Sequence, residues 1–302
     1  MNIRVIELPL DFGANRRGSD MGPSAMRLAG LKQVLTELGH TCEESFPGIS
    51  VPAQEFLEEG DPQVRFLKPI AEACTALAER VEQAVDAGAF PLVLGGDHSI
   101  AIGTLSGLGA AYRKRNLRWG TLWIDAHGDF NTPESTPSGN IHGMSLAIAC
   151  GYGHPDLVNL YGKFRKLDPA NVALVGVRDL DPLEKVNMRE AGVTVFTMTE
   201  VDRLGIAETA RQLVAFFTSR VDRLHVSVDM DVMDPMIAPG VGIPLPGGFS
   251  YREVLLLAEE LASSGILASA ELVEVNPVLD VRNQTARMAV EIAGRLLGSR
   301  VY

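Results

Sequence analysis

Short, continuous apolar runs alternate with helical patterns along most of this 302-residue chain. PLVLGG at 91–96 and ALVGV at 173–177 contain no polar side chain to face water. A strand apolar on both faces must be covered on both, which parallel sheets flanked by helices achieve. Strands are expected at 4–8, 91–94, 120–124, 172–177, 194–196, 224–228 and 267–275. Between the first two, Phe66, Ile70, Cys74, Leu77, Val81 and Val85 recur in steps of three and four residues. They form one stripe of a helix that Gly88 ends. Segments 250–264 and 283–297 follow the same pattern. The fold class is therefore α/β: one three-layer α/β/α domain over 1–302, with a mostly parallel central sheet. The chain shows no internal repeat, low-complexity stretch or linker, and its longest irregular segment is 129–144.

Apolar residues make up 46% of the chain, enough for a sizeable core. The formal charge of −11 supports solubility and argues against nucleic acid or an anionic membrane as partner. MNIRVIELPLDFG has no basic segment followed by a long apolar one, and no run approaches 18 apolar residues. Neither a signal peptide nor a membrane span is expected. Cys42, Cys74 and Cys150 are scattered without CxxC spacing, as in proteins of the reducing cytoplasm, where cysteines serve as small buried hydrophobes.

The polar residues fall where strands end. GGDHS follows PLVL, DAHGD follows GTLWI, DMD follows HVSV, and Glu274 closes ASAELVEV. Ligands bind at that edge of an open α/β sheet. In an extended chain Asp125, His127 and Asp129 point one way, as do Asp229 and Asp231, and His98 offers a third approach. Any one of them alone reads as a satisfied strand-end residue or a helix cap. Together, four aspartates in one crevice repel unless cations neutralise them. Four carboxylates offset two divalent ions, and hard oxygens with two imidazoles suit Mn²⁺ better than Zn²⁺. Two such ions typically stand ~3.5–4 Å apart and hold a water between them that ionises near neutral pH.

GGDHS at 95–99, DAHGDFNTPESTPSGNIHGM at 125–144, SVDMDVMDP at 227–235, PGVGIP at 239–244 and VEVNP at 273–277 resemble the signature blocks of the ureohydrolases, and among them the arginases. The likeness runs from RRGSDMGPSAMR at 16–27 to the last strand. It implies an arginase-like fold with two Mn²⁺ per chain, bridged by Asp125 and Asp229. His98 and Asp129 would complete one site, His127 and Asp231 the other. The implied reaction is hydrolysis of the L-arginine guanidinium to L-ornithine and urea by a hydroxide between the ions. Asp129 would move the hydroxide's proton, His142 would act as proton shuttle, and Glu274 would pair with the guanidinium. Asn131, Thr136, Ser138 and Asn140 would meet the α-carboxylate, Asp181 and Glu184 the α-ammonium. The resemblance also implies a homotrimer or homohexamer, and the cysteine pattern a cytoplasmic one.

Bland readings stand beside these roles: a loop histidine for His142, an ion pair with Arg282 for Glu274, and a helix start before Pro182 for Asp181. Rival functions are a related ureohydrolase acting on another guanidino substrate such as agmatine, separated by the 131–140 loop, a two-metal phosphoesterase, and a non-catalytic, metal-bound arginine-binding or structural protein. A phosphoesterase needs cationic groups near the metals, and the quoted blocks hold none. The chain departs from the family at one point, reading GVGIP with Ile243 where a threonine is usual.

Overall fold

The computed structural model describes residues 1–44 and 48–302. Its first half runs β1 (Asn2–Leu8), α1 (Gly22–Leu28), α2 (Leu31–Glu37), β2 (Thr41–Glu44), α3 (Leu67–Asp86), β3 (Phe90–Gly95), α4 (Ala101–Lys114) and β4 (Trp119–Ile124). Next come α5 (Ser145–Ala149), α6 (Pro155–Val158), β5 (Val172–Val177), α7 (Pro182–Ala191), β6 (Thr194–Thr197) and α8 (Met198–Leu204). The chain finishes with α9 (Ile206–Thr218), β7 (Arg223–Asp229), α10 (Tyr251–Ser263), β8 (Leu267–Val273) and α11 (Gln284–Leu296). The strands form one sheet in the order β2-β1-β3-β8-β7-β4-β5-β6, every neighbouring pair parallel.

Each expected strand is present, and one unexpected strand joins them. β2 has the sequence TCEE, pairs only with β1, and has no apolar run to announce it. The last strand is shorter than expected. It stops at Val273, because Glu274 adopts a left-handed backbone (φ 63°) that cannot continue a strand.

The sheet separates two apolar cores. Along β4, Leu122 and Ile124 enter one core and Trp123 the other, as the two-residue period of a strand requires. Phe217 of α9, Leu257 of α10 and Ile292 of α11 pack the first face, while Leu77 of α3 and Leu105 of α4 pack the second. α3 and α4 approach closely through glycine: a Cβ on Gly107 would stand 2.4 Å from the carbonyl oxygen of Ala78. Among the described residues no helix is long and apolar enough to cross a membrane.

The late strands β7 and β8 slot between β3 and β4. Four central neighbours, β3, β8, β7 and β4, therefore place their C-terminal ends side by side. Those ends carry the four polar motifs.

Candidate active site

The six expected acidic and imidazole side chains converge. Nδ1 of His98 lies 3.1 Å from one carboxylate oxygen each of Asp125, Asp129 and Asp229. Nδ1 of His127 lies 3.0 Å from Asp231 and 3.5 Å from Asp125. Two groups result, His98–Asp125–Asp229 and Asp125–His127–Asp231, with Asp125 common to both and Asp129 facing the first.

Strand alternation is not what gathers them. β4 ends at Ile124, and an extended chain would spread Asp125 and Asp129 over ~13 Å. Instead the chain bends, and Asp129 sits at φ 49°, its carbonyl accepting the N–H groups of Leu146 and Ala147. Asp231 likewise lies in a 3-10 turn, Met230–Val232, capped by the Asp229 carboxylate at 2.8 Å. That cap occupies Oδ1 of Asp229, so only its Oδ2 faces His98.

Without a cation this cluster is electrostatically unbalanced. Burial and the charges of Asp231 and Asp125 push Asp229 well above the usual carboxylate range. Burial and Asp125 raise Asp129 too, and burial raises Asp231 despite the pull of His127. Asp125 alone goes down: burial opposes this, but hydrogen bonds with His127 and His98 prevail. Burial likewise opposes charge on His98, yet its three carboxylate neighbours raise it well above the usual imidazole value. One N–H cannot satisfy three oxygens, and the buried Oδ2 of Asp129 has no hydrogen-bond partner. Donor atoms about 3 Å apart match an octahedral edge around a hard cation whose ligands stand near 2.1 Å. The donor set fits divalent ions.

Behind the ligands runs a buried polar chain that the sequence reading missed. Nε2 of His98 contacts the Ser227 hydroxyl at 2.8 Å, and Ser227 donates to Glu271 at 2.7 Å. A carboxylate only accepts, so Ser227 turns its oxygen toward Nε2–H of His98 and leaves Nδ1 facing the aspartates. Nε2 of His225 lies 3.4 Å from Glu271, and its Nδ1 contacts the Ser269 hydroxyl at 2.9 Å. Burial would raise the Glu271 carboxyl, but His225 holds it below its usual value. The Trp123 ring stacks on His98 at 4.1 Å while its indole N–H donates to Asp125. A signal existed: His225 and Ser227 on β7, like Ser269 and Glu271 on β8, alternate with apolar residues inside strands otherwise read as core.

A cavity of about 220 Å³ opens beside the cluster. His127, Asp129, Asp229 and Asp231 line it; His98 and Asp125 do not. Every residue expected at the substrate also lines it: Asn131, Thr136, Ser138, Asn140, Asp181, Glu184, His142 and Glu274. Oε1 of Glu274 accepts the His98 backbone N–H and lies 3.2 Å from Nδ1 of His142. Glu274 thus pairs with His142, not Arg282. Burial opposes charge on His142, but Glu274, Asp129 and Asp97 raise its pKa to about 9.

The 131–140 loop turns its acceptors inward on itself. Thr136 Oγ1 accepts the N–H groups of Ser138 and Gly139, and Ser138 Oγ accepts that of Asn140. Both hydroxyls keep a hydrogen to donate. Asn131 is more committed, accepting from Ser135 and donating to Asp181. Glu184 accepts the backbone N–H groups of Phe130 and Asp181, tying the loop to α7. Burial pushes Glu184 up to about 7 against the Phe130 N–H, with Asp129 adding to the rise. Ile243, about two-fifths exposed, also lines the cavity.

Comparison with known proteins agrees with this geometry over the full chain. The Arginase family pattern matches residues 1–298. Arginase from Bacillus caldovelox is 50% identical over 299 residues, 99% of this chain and 99% of that protein. Arginase from Bacillus subtilis (strain 168) is 46% identical over 299 residues, 99% of this chain and 98% of its own length. The crystal structure of arginase from Bacillus cereus superposes with a TM-score of 0.94 at 46% identity, covering 100% of both chains. By pattern, sequence and fold, this chain belongs to the arginase family.

Proposed function

We propose that this chain hydrolyses the guanidinium group of L-arginine, releasing urea and L-ornithine. One observation carries the reading: two ligand groups sharing Asp125 adjoin a cavity whose polar lining combines hydrogen donors with carboxylates, as an amino acid requires. His98, Asp129, Asp125 and Asp229 would hold one ion, and His127, Asp231 and the same two aspartates the other. We assign manganese to both. When bound, such a pair supplies a water acidified enough to attack a resonance-stabilised guanidinium at neutral pH.

The chain's own groups manage charge and protons. Asp129, facing the first ligand group and lining the cavity, is placed to take a proton from the attacking water. Glu274 orients the substrate by pairing with the guanidinium. It also keeps His142 protonated, ready to donate to the departing amine as the C–N bond breaks. Thr136, Ser138 and Asn140 offer donors to the α-carboxylate, with a smaller share from Asn131. Asp181 and Glu184 supply negative charge on the α-ammonium side.

The same reading makes residues 1–302 one catalytic domain acting in the cytoplasm as a homotrimer or homohexamer. Exposed apolar side chains at Met236, Tyr251, Val278 and Val281 support association.

The test is urea release after loading with Mn²⁺. L-Arginine should exceed agmatine by on the order of 10²-fold in kcat/KM, because a loop built to donate rejects an analogue without the anion. Equal use of both would move the assignment to agmatine-type hydrolysis.

A further inference from the structure

Asn15, outside every motif, lines the cavity, and Arg65, also outside every motif, holds Asn15 from behind. Asn15 lines the cavity beside Asn140, from the exposed tip (residues 15–17) of the loop after β1. Nη1 of Arg65 donates to Oδ1 of Asn15 at 2.7 Å and to Oδ1 of Asn140 at 3.3 Å. Arg65 itself does not line the cavity.

A guanidinium has only donors, so any carboxamide in contact with it must present its oxygen. That fixes the orientation of both asparagines. With both oxygens held by Arg65, both NH₂ groups turn away from it, on side chains that border the cavity. Arg65 also pairs with Glu59, which offsets its charge and leaves orientation as its main contribution. The arrangement is anchored through backbone as well. Arg65 N–H donates to the Gly139 carbonyl at 3.0 Å, and a Cβ on Gly139 would stand 1.8 Å from the Pro62 carbonyl oxygen. Gly139 also has φ +73°, so only glycine lets the 62–65 segment press against the 136–140 loop.

We propose that Asn15 is a further donor to the substrate α-carboxylate and that Arg65 is a positioning residue aiming Asn15 and Asn140 at it. This rests on the reading of the substrate as an α-amino acid. It predicts an effect confined to ligands that carry the carboxylate.

The experiment uses the Mn²⁺-loaded full chain with Asn15→Asp and Arg65→Met. Urea release gives KM and kcat for L-arginine. Competitive inhibition is measured with L-ornithine, which has the carboxylate, and with 1,4-diaminobutane, which lacks it. Each variant should raise KM for L-arginine and Ki for L-ornithine about ten-fold, the scale of one hydrogen bond to a charged group. Values of kcat and of Ki for the diamine should stay within about two-fold of wild type. Arg65→Lys, which keeps an obligate donor, should recover part of the loss. Parallel weakening of both inhibitors would mean general damage to the site and would overturn the proposal. Unchanged KM in both Asn15→Asp and Arg65→Met would overturn it as well. A wild-type enzyme that releases no urea from L-arginine would instead overturn the assigned reaction and remove the premise.

Discussion

Asp125 divides its two oxygens between the two ligand groups. Oδ1 accepts the His127 backbone N–H and faces that ring, while Oδ2 accepts from Trp123 and faces His98. Asp125→Asn would set an NH₂ against one cation or the other. The variant should bind fewer than two metal ions per chain and lose urea release, checked by elemental analysis beside the assay. Two retained ions with normal turnover would refute the assignment. His142 makes a different demand, because it must be protonated to act. Its raised pKa, about 9, means the donating form is present below that pH and lost above it. Wild-type kcat should therefore decline on the alkaline side. His142→Asn should keep its metal, lose ~10²-fold in kcat and lack that alkaline decline. Loss of metal in this variant would make His142 a ligand or a structural residue.

Between β7 and β8 the structure adds what the sequence reading did not see. Strands were legible as apolar runs, and their ends as polar clusters, because both are local signals. Strand order is not local. Nothing between β3 and β4 says that β7 and β8 will later separate them, so Glu271 could not be matched with Ser227 and His98. β2 was illegible for the opposite reason, since an edge strand with a single neighbour needs no apolar run. The residues of DAHGD were legible as a cluster while their backbone was not. A bend and a left-handed Asp129 replace the expected alternation, held by carbonyl contacts to α5 that no spacing rule encodes. The buried chain gives a test at this scale. Glu271→Gln removes the obligate acceptor that sets the direction of the Ser227 hydrogen bond. Metal affinity, read by chelator competition, should fall about 10–100-fold, as for other outer partners of metal-bound histidine. An affinity equal to wild type would show that His98 keeps its orientation without the carboxylate.

At the scale of the whole molecule, the centre links stability to pH and to metal. In the metal-free protein Asp129, Asp229 and Asp231 have pKa values raised above their unfolded values. A group whose folded pKa is raised binds its proton more tightly in the folded state, so stability falls as pH climbs through that interval. His98 and His127 are raised as well, so their contribution is complete below about 6.5 and is lost as pH rises toward their folded values. Asp125 has the opposite sign, but its lowered pKa places its effect below the ordinary carboxylate range. As pH rises from the ordinary carboxylate range through the ordinary imidazole value and beyond, then, these groups make the metal-free protein steadily less stable. Divalent ions replace the protons, so metal affinity rises over the same interval as the ligands deprotonate. An ion at a hundred times its dissociation constant stabilises by about 2.7 kcal/mol. The difference in Tm between Mn²⁺-loaded and EDTA-treated protein should therefore widen as pH increases. Thermal unfolding of both forms at several pH values within this window measures it. A gap that stays constant or narrows would mean that protons and metal do not compete for these side chains, and the ligand set drawn around Asp125 would have to be abandoned.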